Sequence, residues 1–480
     1  MVELWHVRPS RRMIFAIAPR TLLVIAALCS TTLAGCAAKL AHIDTARDAF
    51  AAGDPTTARE VLSKVADGGG RFATPAKLDL AMVDLAVGDA TSAEKTFREL
   101  RDEFDSSLKV APLHEAAAMV TDDTARKFRP AGYEQVMIRT MLAMCSLVRD
   151  GDDAESYINQ AAMLQAKLQQ EHDERRSSVF GEVAADKLTA NPHQELALAP
   201  YLRGVLREEN LHDLDDARRN YQLVSAIRPS FLPAADDLKR ATEGVHSKPG
   251  HGALYVFSLV GRGPVLKAVE APATTAAMTV ANALMLNQEN QEDDIATLPK
   301  ITSVKVPSVV IPPSDVAAVT VASYIPTGPD TLPLYELHGA TQPLTDVAGM
   351  VQQQVDAEMP WTIARSIIRQ GGKELAVASA RKNLGLTGPA GSMFQFATST
   401  AWTATETADT RCWGLLPREI QVLRAELPAG DHTVEFAPVR YDGQPIATPS
   451  RVPLRIYNAK NTYVLVVAPT QQIYVVTAKP

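Results

Sequence analysis

Two periodicities divide this chain. From residue 37 to about 245, apolar side chains recur three and four positions apart, the spacing of one helix face, and breakers separate the runs. After Pro249-Gly250-His251-Gly252 the pattern changes to continuous apolar runs and two-residue alternation. Residues 253–260 read as a buried strand. Residues 302–311 and 317–324 read as further strands, with Pro307 and Pro312-Pro313 at edges or turns, and the uncharged stretch 271–288 reads as a helix. Residues 346–370 are helical in character, and 376–384 continue them. From Gln421 the pattern is β, over 421–427, 432–438, 452–456, 463–468 and 473–477, with Pro428-Ala429-Gly430-Asp431 and Tyr441-Asp442-Gly443 as turns. The expectation is an α+β chain: a helical part over 36–245, then a mixed α/β domain over 246–480 whose β-rich end (421–480) forms a small antiparallel sheet or sandwich.

Within the helical half a repeat emerges when small residues are aligned. Gly53-Asp54 is followed by Ala58 and Leu62, and Gly88-Asp89 by Ala93 and Phe97, 35 residues later. Gly151-Asp152 leads to Ala154 and Ile158, and Asp215-Asp216 to Ala217 and Tyr221, closing at Pro229. A small residue lets two helices approach, and the large residue one turn on fills the groove between repeats. The Gly-Asp turn ends one helix and caps the next. This design resembles the second helix of a tetratricopeptide repeat, which implies an α-solenoid whose concave surface holds a peptide or a partner protein. A longer insertion between the third and fourth copies carries a charged helix over residues 163–176.

The amino end has a different character. Arg11, Arg12 and Arg20 precede the apolar run 22–28, and small residues lead to Leu33-Ala34-Gly35-Cys36. A basic start, a short apolar segment and small residues make an export signal. A membrane span needs about 20 apolar residues, more than lie between Arg20 and Cys36. Leu-Ala-Gly-Cys resembles the lipobox of a bacterial lipoprotein. That resemblance implies a signal peptide over 1–35, lipidation of Cys36, and anchoring by several acyl chains, which hold where one chain is marginal. Ala37, in place of an Asp, implies the outer membrane, facing the periplasm.

Composition narrows the partners. The 480 residues carry 48 Lys+Arg and 55 Asp+Glu. Loss of residues 1–35 removes Glu3, Arg8, Arg11, Arg12 and Arg20 and leaves a net charge of −10. No basic block remains for nucleic acid or for anionic lipid. Of the four cysteines, Cys29 leaves with the signal and Cys36 takes the lipid, leaving Cys145 and Cys412. Cys145 lies in an apolar run that reads as a buried helix, where a thiol acts as a small apolar residue. Two lone cysteines supply no spacing that would assign a disulfide, although the periplasm permits one.

The catalytic and metal signatures in the chain are each incomplete. His114-Glu115 lacks the second histidine of a helical zinc site and reads as a capped helix start. His246 and His251 flank the junction without a third ligand and read as solvated. Gly371-Gly372-Lys373 lacks the frame of a phosphate loop, Gly261-Arg262-Gly263-Pro264 lacks a third dinucleotide glycine, and Gly391-Ser392 has no nucleophile elbow. No cofactor and no metal is expected.

The lipobox, the repeats, Gly261-Arg262-Gly263-Pro264 after a strand, and the segment from Ala408 to Pro417 together resemble an uncharacterised family of repeat-bearing bacterial outer-membrane lipoproteins. The most specific part is Ala408-Asp409-x-Arg411-x-Trp413-x-x-Leu416-Pro417, with Cys412 departing from the small polar residue usual there. The resemblance implies architecture without chemistry. Read by itself, the segment offers an Asp409–Arg411 ion pair over Trp413, with Asp409 alternatively capping the following turn. Arg262, Asp409, Arg411 and Trp413 are the candidates for a functional surface. The expected function is non-enzymatic: a lipid-anchored periplasmic scaffold or adaptor that binds an envelope protein through its repeats, in cell-envelope assembly. The alternative is an envelope glycan-acting hydrolase with its acids in 250–420.

Overall fold

The structure, a computed structural model, describes residues 39–107, 128–188, 196–210, 213–286, 303–325, 334–383 and 408–478. Cys36 and the export segment, His114-Glu115 and Gly391-Ser392 lie outside the described residues. The chain is mixed α+β, with helices through the first half and antiparallel-rich sheets in the second.

The helical half runs through α1 (39–51), α2 (Pro55–Asp67), α3 (Ala73–Ala86), α4 (Ala90–Ser107), α5 (Gly132–Leu147), α6 (Ala154–Leu188), α7 (Leu198–Glu209), α8 (Leu214–Ile227) and α9 (Pro233–Glu243). From α2 onward each helix packs on the next. The turns follow from local chemistry. Gly53, Gly88 and Gly151 adopt φ of 93°, 83° and 80°, a region open to glycine at no steric cost. Asp54 then accepts the Thr57 N–H at 3.0 Å, and Asp89 accepts the Ser92 N–H at 3.1 Å, each capping the next helix. The four aligned alanines, Ala58, Ala93, Ala154 and Ala217, are fully buried, as are Leu62, Phe97, Ile158 and Tyr221 one turn on. The charged helix inferred over 163–176 lies within α6.

The second half contains β1 (His251–Arg262), β2 (Val265–Pro272), α10 (Thr275–Leu286), β3 (Ser303–Val310), β4 (Ala318–Ile325), β5 (Leu334–Ala340), β6 (Gln342–Asp346), α11 (Val347–Asn383), β7 (Pro417–Pro428), β8 (Gly430–Val439), β9 (Ser450–Ile456), β10 (Asn461–Ala468) and β11 (Tyr474–Thr477). One sheet has the order β11-β10-β1-β7-β6, a second β5-β4-β8-β9, and β2-β3 form a separate ribbon. β1 is antiparallel to β7 but parallel to β10, about 200 residues later in the chain.

The strands expected over 421–480 as a small antiparallel sheet or sandwich are present, but they are divided between two sheets that earlier strands complete. β8 and β9 complete a sheet with β4 and β5, while β7, β10 and β11 complete another with β1 and β6. The cause is visible in β1, a continuous apolar run and not an alternating one. Leu254, Val256 and Val260 pack with Val319, Val321, Val434 and Phe436 of the facing sheet. On the other face Tyr255, Phe257 and Leu259 join one core with the helices, including Leu62, Phe97, Tyr201 and Tyr221. A strand covered on both sides reads as a near-continuous apolar run, here broken only by the buried Ser258 between residues 253 and 260. Helices, five-stranded sheet and four-stranded sheet thus stack as three layers.

Candidate functional site

The Asp409–Pro417 segment runs from the helices into β7. The Asp409 carboxylate accepts from Arg411 Nε at 2.8 Å and Nη2 at 2.6 Å, a bidentate pair, and also from the Arg411 N–H at 3.1 Å. The ion pair and the turn cap, alternatives in the sequence, are both present. Arg411 is buried, donates to the Arg71 carbonyl and lies over the Phe128 ring. Trp413 is buried against Phe97, with ring centroids 5.4 Å apart.

Beyond Arg411 the backbone itself is held by buried charges on the helices. The Cys412 carbonyl accepts from Arg47 Nη2 at 2.9 Å. The Trp413 N–H donates to Glu134 at 2.7 Å, and the Leu415 N–H to Asp79 at 2.9 Å. Asp79 also takes Arg47 Nε at 2.7 Å, while the second oxygen of Glu134 takes the Ala131 N–H at 2.8 Å. Burial pushes the Asp79 carboxyl up and the Glu134 carboxyl up to about 7, against those donors. Gly414 is required here: a Cβ would stand 2.2 Å from the Arg47 guanidinium carbon. Breaking a buried pair of this kind costs about 3–5 kcal/mol.

Arg262 sits apart from these three. It pairs with Asp48 of α1 at 2.5 Å and lies opposite Pro417 in the β1–β7 register. Gly261 (φ 77°) and Gly263 flank it, and a Cβ on Gly263 would stand 1.9 Å from the Leu416 carbonyl oxygen. Gly263 therefore serves the close approach of β1 to the 409–417 segment, and Gly414 the approach of Arg47 from α1. Between them lies a small cavity of about 30 Å³, and Ala51 and Arg262 line both it and a wider neighbouring groove.

A second buried network joins α7 and α9 to β1 and β7. Glu208 accepts from Tyr221 Oη at 2.5 Å and from Arg240 Nε at 2.8 Å. Arg424 donates to Tyr255 Oη at 3.2 Å and to the His246 carbonyl. His246 is not solvated as the sequence suggested: it is buried, with Nε2 2.8 Å from Asn461 Oδ1, because the junction packs under β10. Cys145 and Cys412 are both buried free thiols, and burial raises Cys412 to about 11 and Cys145 further, so neither is a thiolate at neutral pH.

Arg47, Asp79, Glu134 and Glu208 escaped the sequence reading. The available signal was a lone charge on an otherwise apolar helix face, as at Asp79 between Leu78 and Leu80. Such a charge announces a buried partner, but Arg47 lies 32 residues before Asp79, and the Leu415 and Trp413 N–H groups that Asp79 and Glu134 hold lie more than 270 residues on. Among the described residues no cluster of His, Cys, Asp and Glu is placed to hold a metal, and no helix is long and apolar enough to cross a membrane. Comparison with family models, curated proteins and solved structures finds no match to this chain.

Proposed function

We propose that the chain is a lipid-anchored scaffold or adaptor, tethered through Cys36 to the outer membrane on its periplasmic side. It binds an envelope protein through tetratricopeptide-like repeats, in cell-envelope assembly. The observation that carries this reading is the burial of all four alanine and large-residue pairs in helices that pack each on the next. Stacked helical repeats commonly present an extended surface to a partner, which is what this reading takes these helices to do. The docking of the 409–417 segment supports a positioning role for the second half, since buried charges of the helices (Arg47, Asp79 and Glu134) are spent on holding its backbone.

No observation favours the glycan-acting hydrolase over 250–420. Among the described residues the carboxyls raised by burial are Asp79, Asp84, Glu134 and Asp237, all outside that stretch. The test of the adaptor reading is crosslinking in intact cells from positions on α2, α4 and α8. One envelope protein captured reproducibly from these positions, and not from β9, is the expected result. Capture spread equally over both, or none from the helices, contradicts it.

A further inference from the structure

The two larger sheets end in four strands that have one side unpaired among the described residues: β11 and β6 in the first, β5 and β9 in the second. Such an edge is a template for another strand, and proteins blunt it with shortness, proline or charge. Three of these edges are blunted. β11 is four residues long, β6 is five with Pro343 inside, and β9 carries Pro453 between the exposed Arg451 and Arg455. β5 differs. It runs seven residues without proline, its first four residues are exposed, and Leu334, Tyr335 and Leu337 are each more than half exposed.

The register against β4 sorts the side chains of β5 by face. Tyr335 lies opposite Tyr324 and Leu337 opposite Ala322, on the face turned away from the five-stranded sheet. Tyr335 is set edge-on against Tyr324, with ring centroids 5.3 Å apart. Glu336 lies on the other face, opposite Ser323. His338 joins it there, with Nε2 2.8 Å from Ser323 Oγ and Nδ1 without a partner among the described residues. A bulge puts it in that place: Val321 pairs with Gly339, so His338 is the extra residue, and bulges re-aim side chains.

We infer that β5 pairs antiparallel with β5 of a second copy of this chain, the two-fold axis passing at Leu337. In this register Leu337 meets the partner's Leu337, and Tyr335 reaches it diagonally, so an apolar cluster forms on the outer face. On the inner face each Glu336 stands opposite the partner's His338, whose Nδ1–H donates to the carboxylate. Each copy supplies both halves of that contact, as a two-fold interface requires. This self-complementarity identifies the occupant as a second copy and not a foreign strand. A register centred on Glu336 would set two carboxylates directly opposite, which is unfavourable.

The test uses the purified full chain carrying Cys29→Ser and Cys36→Ser. Only the buried Cys145 and Cys412 then remain, and the result does not depend on the tether. Sedimentation should show a dimer that dissociates on dilution. Leu337→Lys and Glu336→Lys, both at exposed positions, should each weaken it by about tenfold or more, since Leu337→Lys sets like charges together at the axis and Glu336→Lys removes the acceptor of both histidines. Under mild oxidation Leu337→Cys should give a disulfide-linked dimer, while Tyr335→Cys and Arg455→Cys should not. A chain that sediments as a monomer at every concentration, or a dimer that both lysine variants leave unchanged, overturns the inference. Crosslinking from Tyr335→Cys or Arg455→Cys equal to that from Leu337→Cys does so too. Because the crosslinking positions on α2, α4 and α8 report a different surface, failure here leaves the adaptor reading standing, and the reverse holds.

Discussion

At Glu134 a single carboxyl joins two distant stretches, accepting N–H groups from Ala131 and Trp413 inside the protein. Its pKa stands at about 7 against 4.5, burial being the main cause. A carboxyl raised on folding contributes stability that is complete below its unfolded pKa and is lost as pH rises through the folded one. Asp84 and Asp237, raised by burial to about 6, act in the same sense. Stability to urea is therefore expected to fall between pH 5 and pH 8. Since one pKa unit is about 1.4 kcal/mol, Glu134 accounts for at most about 3 kcal/mol of that fall. Glu134→Gln should flatten the profile, and an unchanged slope in that variant refutes the assignment. Gly414→Ala tests the neighbouring contact. Its methyl displaces Arg47 from Asp79, and a loss of about 3–5 kcal/mol is expected in denaturant titrations.

Among the elements, the helices of the first half were the most legible part, because an alanine followed one turn later by a large residue states a packing requirement locally. Ala58→Leu or Ala93→Leu should each cost about 1–3 kcal/mol by overpacking. Ala235→Leu, at an exposed position of α9, should change the midpoint by less than about 0.5 kcal/mol. Equal effects at buried and exposed alanines would remove the packing argument. The strands from 421 onward were also legible, since alternation marks a strand without naming its neighbours. β2, β5 and β6 were not. β2 and β5 are largely exposed, so no apolar face marks them, and β6 is only five residues long with a proline inside. Of the candidate residues, the local pair Asp409–Arg411 could be read from two-residue spacing. The clamps from Arg47, Asp79 and Glu134 could not, since only the tertiary fold brings them to the segment.

For the whole molecule, the feature that matters most is that helices and sheet share a core. Trp413, Tyr255, Phe257 and Leu465 pack in the same cluster as Leu62, Met82 and Leu142. A fragment ending at residue 245 would expose that surface. Unfolding of the full chain should then be a single transition, with far-ultraviolet circular dichroism and tryptophan fluorescence tracing coincident curves. Separated curves would mean that the two halves are held together only weakly. The proposed lipid tether at Cys36 is the premise on which location and partner class depend. Growth of the producing bacterium with labelled palmitate measures it most directly. The account predicts label in the wild-type chain and none after Cys36→Ser. An unlabelled wild type, or equal label in both, contradicts it.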